Sequence, residues 1–361
     1  MFRSKRSSHV KRLWKSRIAQ HETESSDENN PEELEKKSVT QSILKRLKEK
    51  QLEMLIQSVE SKGEEHSGCV LLPKGDLRLG RRCVAPHILC LQIWRWSDIS
   101  GSSELRRMPF CETVDDDVYV CCNPYHWSRK SDELESPFLG RSALERVHIT
   151  DFGQSEMVTD EVVSTETGNT PTPHQLNYSD DSMLSNNGCV RGPHWCTVAY
   201  WELRQRVGRL YMVYDPNVNI FQSLPHGDGL SLELLQKDAE TESVKRTRDK
   251  IGIGVVLSRE DDGVWLYNRS QFPVFVNSPT LENIHSRTLP VLKLLPGYSI
   301  KIFDYDSVRL LKQLTDKRYL DGPFDPASVR ISFAKGWGPN YHRQFITSCP
   351  AWLEVLMTID R

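Results

Sequence analysis

Three cysteines and a histidine crowd into residues 111–126, CETVDDDVYVCCNPYH. Those residue types at short spacing suit zinc, which takes four nitrogen or sulfur ligands in a tetrahedron. Cys121 and His126 enclose four residues, and Pro124 helps the chain turn back between them. Cys111 precedes Cys121 across a hairpin-like excursion through Asp115–Asp117. A fourth ligand must come from elsewhere, and Cys69 is the best placed. Cys122 competes with Cys121, because neighbours on a strand face opposite sides. Spacing alone leaves two readings open, a metal site and a core strand rich in buried thiols.

The chain has nine cysteines, an odd number that suits no complete disulfide framework. Six of them (Cys69, Cys83, Cys90, Cys111, Cys121 and Cys122) fall in one region, and no secretory signal precedes them, so reduced thiols are expected. A second chemistry-bearing stretch is KGWGPNYHRQF, residues 335–345. Its glycines allow a looped backbone, and Lys335, Trp337, Tyr341, His342 and Arg343 can receive anionic groups. Arg246, Arg248 and Lys250 add cations at a helix end. A solvated loop and a solvated helix are the alternative. Catalytic patterns are missing: there is no P-loop and no G-x-S-x-G elbow. Gly252-x-Gly254 opens a strand after a helix, the wrong order for a dinucleotide turn. His194 and Cys196 read as one face of a core strand. The expectation is a protein that is not an enzyme.

The elements that must position these residues follow from periodicity and composition. At 361 residues and a net charge of −2, the chain has room for two domains and no global field toward nucleic acid or membrane. No apolar run is long enough to span a bilayer. Residues 1–37 read as a solvated basic arm followed by a disordered acidic segment. VTQSILKRLKEKQLEMLIQSVESKG predicts a helix with Ile43, Leu47, Leu52, Leu55, Ile56 and Val59 on one stripe and Gly63 as its stop. CVLLP, ILCLQIWRW and VYVCCN predict strands, closing a first domain at 38–130. Residues 131–192, rich in Ser, Thr, Asp and Asn and carrying two Thr-Pro pairs, read as a disordered linker. From 193 to 361, short strands recur with turn signals between them. HWCTVAYWEL and VGRLYMVY are read as joined by a tight link at Val207–Gly208. Helices are expected at 240–250 and in DSVRLLKQLTDK, and SCPAWLEVLMTID is left as helical or extended. This second domain reads as a β-sandwich or barrel.

LCLQIWRWSDI with CCNPYH resembles the MH1 domain of the Smad proteins. HWCTVAYWELRQRVGRLYMVYD, DGVWLYNRS, VNSPTL, PGYSIKIFD and ISFAKGWGPNYHRQFITSCPAWLEV resemble their MH2 domain. The opening MFRSKRSSHVKRLWKSR and the run from VESKG to LLP resemble the inhibitory Smads in particular. The resemblance implies an α+β MH1 domain stapled by one zinc ion. It also implies a mainly β MH2 domain, a sandwich flanked by a helical bundle and a loop–helix region. The implied zinc ligands are Cys69, Cys111, Cys121 and His126. The implied receptor- or phosphoserine-binding surface is Arg246, Lys250, Lys335, Tyr341 and Arg343. The function implied is antagonism of transforming-growth-factor-β and bone-morphogenetic-protein signalling, in cytoplasm and nucleus; the alternative is a DNA-binding transcriptional regulator acting through MH1. The partners implied are activated type I receptor kinases, other Smads and transcriptional co-regulators. Three departures bear on this. The chain ends MTIDR rather than in a Ser-x-Ser tail, so activation by tail phosphorylation is not expected. The DNA-reading hairpin carries Asp76, Arg78 and Cys83 in place of an arginine, a glutamine and a lysine. Weak or absent DNA binding is therefore expected, with Arg78 as the remaining candidate. No Pro-Pro-x-Tyr motif is present, so recruitment of a ubiquitin ligase by that route is not expected.

Overall fold

The computed structural model describes residues 5–18, 31–113, 116–131, 193–223, 228–236, 241–281, 291–318 and 325–358. All of the 131–192 linker but Ser131, its Thr-Pro pairs included, and the acidic segment before residue 31 lie outside them.

Four helices build the first domain: α1 (Lys5–Lys15), α2 (Pro31–Arg46), α3 (Glu49–Glu60) and α4 (Pro86–Trp94). The opening segment is not the solvated arm expected. Val10 and Leu13 share one face of α1, and Leu13 is 1 % exposed in the core shared with α2, α3 and α4. The Trp94 indole donates to the Leu13 carbonyl (3.0 Å). Arg6 donates to the Leu47 carbonyl (2.7 Å) and to Lys45, carbonyls a helix C-terminus leaves unpaired. Arg12 pairs through two nitrogens with Glu60 of α3. The start of α2 also corrects the disordered reading of residues 31–37: Pro31 suits a first helical turn, and EELEKK are good helix formers.

The helix expected through residues 39–63 is split. Lys48 is extended (φ −69°, ψ 157°), and the Gln51 side chain accepts from its amide at 3.3 Å. The stripe itself is buried as read, from Ile43 to Val59. ILCLQIW, read as a strand, is helix α4. A continuous apolar run fits a buried helix as well as a buried strand, and Pro86 in the first turn favours the helix.

The second domain adds α5 (Glu242–Arg248) and α6 (Tyr305–Arg318) to two sheets. One sheet has six strands in the order 292–294, 274–277, 328–333, 352–357, 196–202 and 205–213. The other has seven: 230–231, 217–221, 255–260, 263–268, 298–304, 127–130 and 105–107. Their inner faces share one core, with Val198, Ile331 and Val355 from the first meeting Leu257, Leu266 and Ile302 from the second. This is the expected β-sandwich. The strand after SCP is extended, pairing with 328–333 and 196–202. The hairpin link is Leu203–Arg204, not Val207–Gly208. Leu203 takes the left-handed conformation (φ 53°), and Gly208 (φ 78°) sits inside the strand near a register shift opposite Val198 and Tyr200. Gly254 (φ +60°) brings the backbone against strand 217–221, where a Cβ would stand 1.9 Å from the Ile220 carbonyl oxygen. Gly254 is therefore required by close packing against that strand, while Gly252 (φ +54°) has open space around it.

Two strands of the seven come from the first domain. Residues 127–130 run parallel to 298–304, with Tyr298 opposite Arg129 and Ser299 opposite Lys130.

Candidate metal centre and basic surface

Cys69, Cys111, Cys121 and His126 place their ligand atoms within 4.8 Å of one another. Cys69 Sγ lies 3.9 Å from Cys111 Sγ and 3.4 Å from His126 Nδ1, and Cys121 Sγ lies 3.6 Å from the same nitrogen. A tetrahedron of ~2.3 Å metal–sulfur bonds has edges near ~3.8 Å, and these three separations are of that size. Cys122 points the other way. It is 1 % exposed in the helical core, which resolves the choice between the neighbouring cysteines in favour of Cys121. His126 donates from Nε2 to the Ser67 carbonyl (2.9 Å), which fixes the ring with Nδ1 facing the sulfurs. The thiols of Cys121 and Cys69 donate to Cys111 and pull its pKa far down. Burial opposes charge on His126, but the sulfurs of Cys111 and Cys69 outweigh it and push the imidazole up to about 9. Buried, sulfur-rich and electron-dense, the group suits a dication.

Sequence reasoning missed the residue that assembles this site. Asn123 is fully buried; its amide donates to Ser67 Oγ (2.9 Å) and to the Gly68 carbonyl (3.1 Å). Its oxygen accepts from Ser58 Oγ (2.6 Å) and from the Tyr125 amide (3.0 Å). One side chain thus ties the loop before Cys69 to the 3₁₀ turn Pro124–His126 that carries the histidine. Its position just before a proline was the available signal. Asp116 plays a smaller part, accepting from the amides of Val118 and Tyr119 at 2.8 Å each.

The second group of candidates lies in the MH2-like half. Lys335, half-buried, follows strand 328–333, and its carbonyl accepts from Ser332 Oγ (2.7 Å). The loop closes where the Gly338 amide donates to the Arg343 carbonyl (2.7 Å). Tyr341 supports it from beneath, its ring covering Gly336 and meeting Phe275 edge-on at 5.5 Å. Burial lowers the pKa of Lys335, and the charges of Lys250 and Arg343 lower it further. Three cations from two distant stretches of chain therefore share one field. Arg246 lies on the exposed face of α5, paired with Glu242 at 3.1 Å. Phe272, unremarked in the sequence, carries the Lys250 ammonium 5.3 Å from its ring centre. Arg78 and Cys83 oppose each other on an exposed two-stranded hairpin, with Asp76 exposed beside it.

The MH1 domain family matches residues 36–131 and the MH2 domain family residues 193–358. The chain belongs to the Smad family. It is 48 % identical over 334 residues to mothers against decapentaplegic homolog 6 of Gallus gallus, covering 91 % of this chain and 76 % of that one. It is 44 % identical over 342 residues to homolog 7 of Homo sapiens and of Mus musculus, covering 90 % of this chain and 78 % of each relative. This similarity puts it in the inhibitory class of Smads, antagonists of transforming-growth-factor-β and bone-morphogenetic-protein signalling. The α1 helix begins before the matched MH1 segment, yet it packs in the same core. Among the described residues no helix is long and apolar enough to cross a membrane.

Proposed function

We propose that this Smad antagonises signalling by occupancy rather than catalysis. Its MH2 surface of Lys250, Lys335 and Arg343 takes phosphoserine-bearing segments of activated type I receptor kinases and of partner Smads, so that receptor-regulated Smads are not phosphorylated. The supporting observation is the shared field of these cations. Holding three like charges together costs free energy unless an anion neutralises them, and a phosphoryl group is the anion of matching charge and acceptor number. Arg246 and Tyr341 complete the surface, one as an outer cation and one as the support of the loop. The MH1 centre holds one structural zinc through Cys69, Cys111, Cys121 and His126, and the ion supplies folding free energy there. The protein works in cytoplasm and nucleus, with transcriptional co-regulators among its partners. Its DNA affinity is weak, because a carboxylate and a thiol flank Arg78 on the hairpin.

Each charge-assisted phosphate contact contributes about 1.5–3 kcal/mol. Lys335→Glu with Arg343→Glu should therefore abolish pull-down of phosphorylated type I receptor while leaving the fold intact. Undiminished capture by that double variant rejects the reading.

A further inference from the structure

Phe272 stands at the edge of the basic surface on a turn built to hold it. The Asn268 amide donates to the Phe272 carbonyl (2.9 Å) and to the Leu294 carbonyl (3.0 Å). The Asn268 oxygen accepts from the Ser270 amide (3.0 Å) and hydroxyl (2.8 Å). The turn is tied to the Lys335 loop, because the Ala334 amide donates to the Pro273 carbonyl (3.0 Å). Arg269 and Gln271, on either side of Ser270, are engaged elsewhere, with the Gly63 carbonyl (3.0 Å) and the Glu64 carboxylate (2.9 Å). Phe272 is 40 % exposed, beside the ammonium of Lys250. An aromatic ring rigidly presented at the rim of a cation cluster offers apolar contact where the cations offer charge.

We infer that Phe272 is a specificity-determining residue of this surface: its ring seats an apolar side chain adjacent to the phosphoserine, so the site prefers phosphosegments with an apolar neighbour. The inference rests on the phosphoserine reading of Lys250, Lys335 and Arg343. Charge complementarity fixes the occupant as a phosphorylated peptide, and the ring adds a requirement that charge alone lacks.

Fluorescence anisotropy on the full chain tests it with three synthetic phosphoserine peptides. One has glycine on both sides of the phosphoserine, and the other two carry leucine on one side or the other. The unaltered chain should bind one leucine peptide roughly tenfold more tightly than the glycine peptide, the expected gain from burying most of a leucine side chain. Phe272→Ser should erase that difference and leave the glycine peptide within about twofold, while Phe272→Leu should keep most of the preference. Lys335→Glu should weaken all three. Equal affinity of the unaltered chain for all three peptides overturns the role of Phe272 while leaving the phosphoserine reading standing. Equal weakening of all three by Phe272→Ser overturns it too, since the ring would then only hold Lys250 in place. Failure of the unaltered chain to bind any of the phosphopeptides overturns the phosphoserine reading itself, and this inference with it.

Discussion

Asn123 and His87 show how much of the MH1 half depends on single buried polar side chains. Replacing Asn123 by alanine strands the Ser58 hydroxyl, the Tyr125 amide and the loop carbonyl at Gly68. A loss of about 2–4 kcal/mol is expected, together with weaker zinc retention in a chelator competition. Cys122→Ala should cost about 1–2 kcal/mol of packing and leave metal stoichiometry unchanged. Equal metal loss in both variants would falsify the assignment of Asn123 as organiser of the site. His87 is a second case. It stacks on Trp127 at 4.8 Å between ring centres, and its Nε2 meets Ser102 Oγ at 2.9 Å. Burial, helped by the charge of Arg107, lowers its pKa to about 4. The folded state thus holds the imidazole neutral, while the unfolded chain takes up a proton below about 6.5. Stability is intact above that pH and falls as pH drops from about 6.5 toward 4, by about 1 kcal/mol per unit at most. Urea midpoints across this window should fall less steeply in His87→Phe than in the parent; parallel slopes count against the mechanism.

At the scale of elements, α1 is where sequence and structure part most clearly. Its residues look like a basic tail because only two or three apolar side chains interrupt the cations. What holds the helix is tertiary: the capped carbonyls of α2, the Arg12–Glu60 pair and the Leu13 socket, all distant in sequence. Leu13→Ala should destabilise the MH1 half by about 2–4 kcal/mol, and Lys11→Ala on the exposed face by less than about 0.5. Thermal unfolding of the two variants checks this; equal midpoints would return α1 to a solvated arm. The short, regularly spaced strands of the MH2 half and the turn signals between them announce themselves locally, and most of its elements lie where the sequence predicts them. α4 is apolar on every side, and such a run carries no period to separate helix from strand. The metal ligands were legible because short spacing and residue type suffice for half a site. Asn123 and Phe272 were not, since each acts through neighbours brought together by the fold.

For the whole molecule, the feature least visible in the sequence is the continuous sheet joining the MH1 and MH2 halves. Ser128 and Ser299 share a hydroxyl contact of 3.0 Å, and the amides of Arg129 and Ser131 donate to the carbonyls of Gly297 (3.0 Å) and Ser299 (2.9 Å). Two arginines clamp the seam. Arg106 lies 3.6 Å from the centre of the Trp265 ring, donates to the Tyr267 hydroxyl (2.8 Å) and pairs with Glu260. Arg269 crosses the other way, reaching the Gly63 carbonyl while its guanidinium lies 5.3 Å from the ring centre of Phe110. Each half has a core of its own, so the clamp couples two units that can each hold together. Replacing Arg106 and Arg269 by alanine should remove about 2 kcal/mol per arginine from the coupling, since each leaves polar partners behind in a partly buried seam. The unaltered chain should unfold in a single calorimetric transition. The double variant should unfold in two, and hydrogen exchange at residues 128–131 should rise well before exchange in strand 328–333. A single transition with unchanged protection at 128–131 would mean that main-chain pairing and the apolar contact of Met108 with Val256 and Tyr267 join the halves and that the arginines add little.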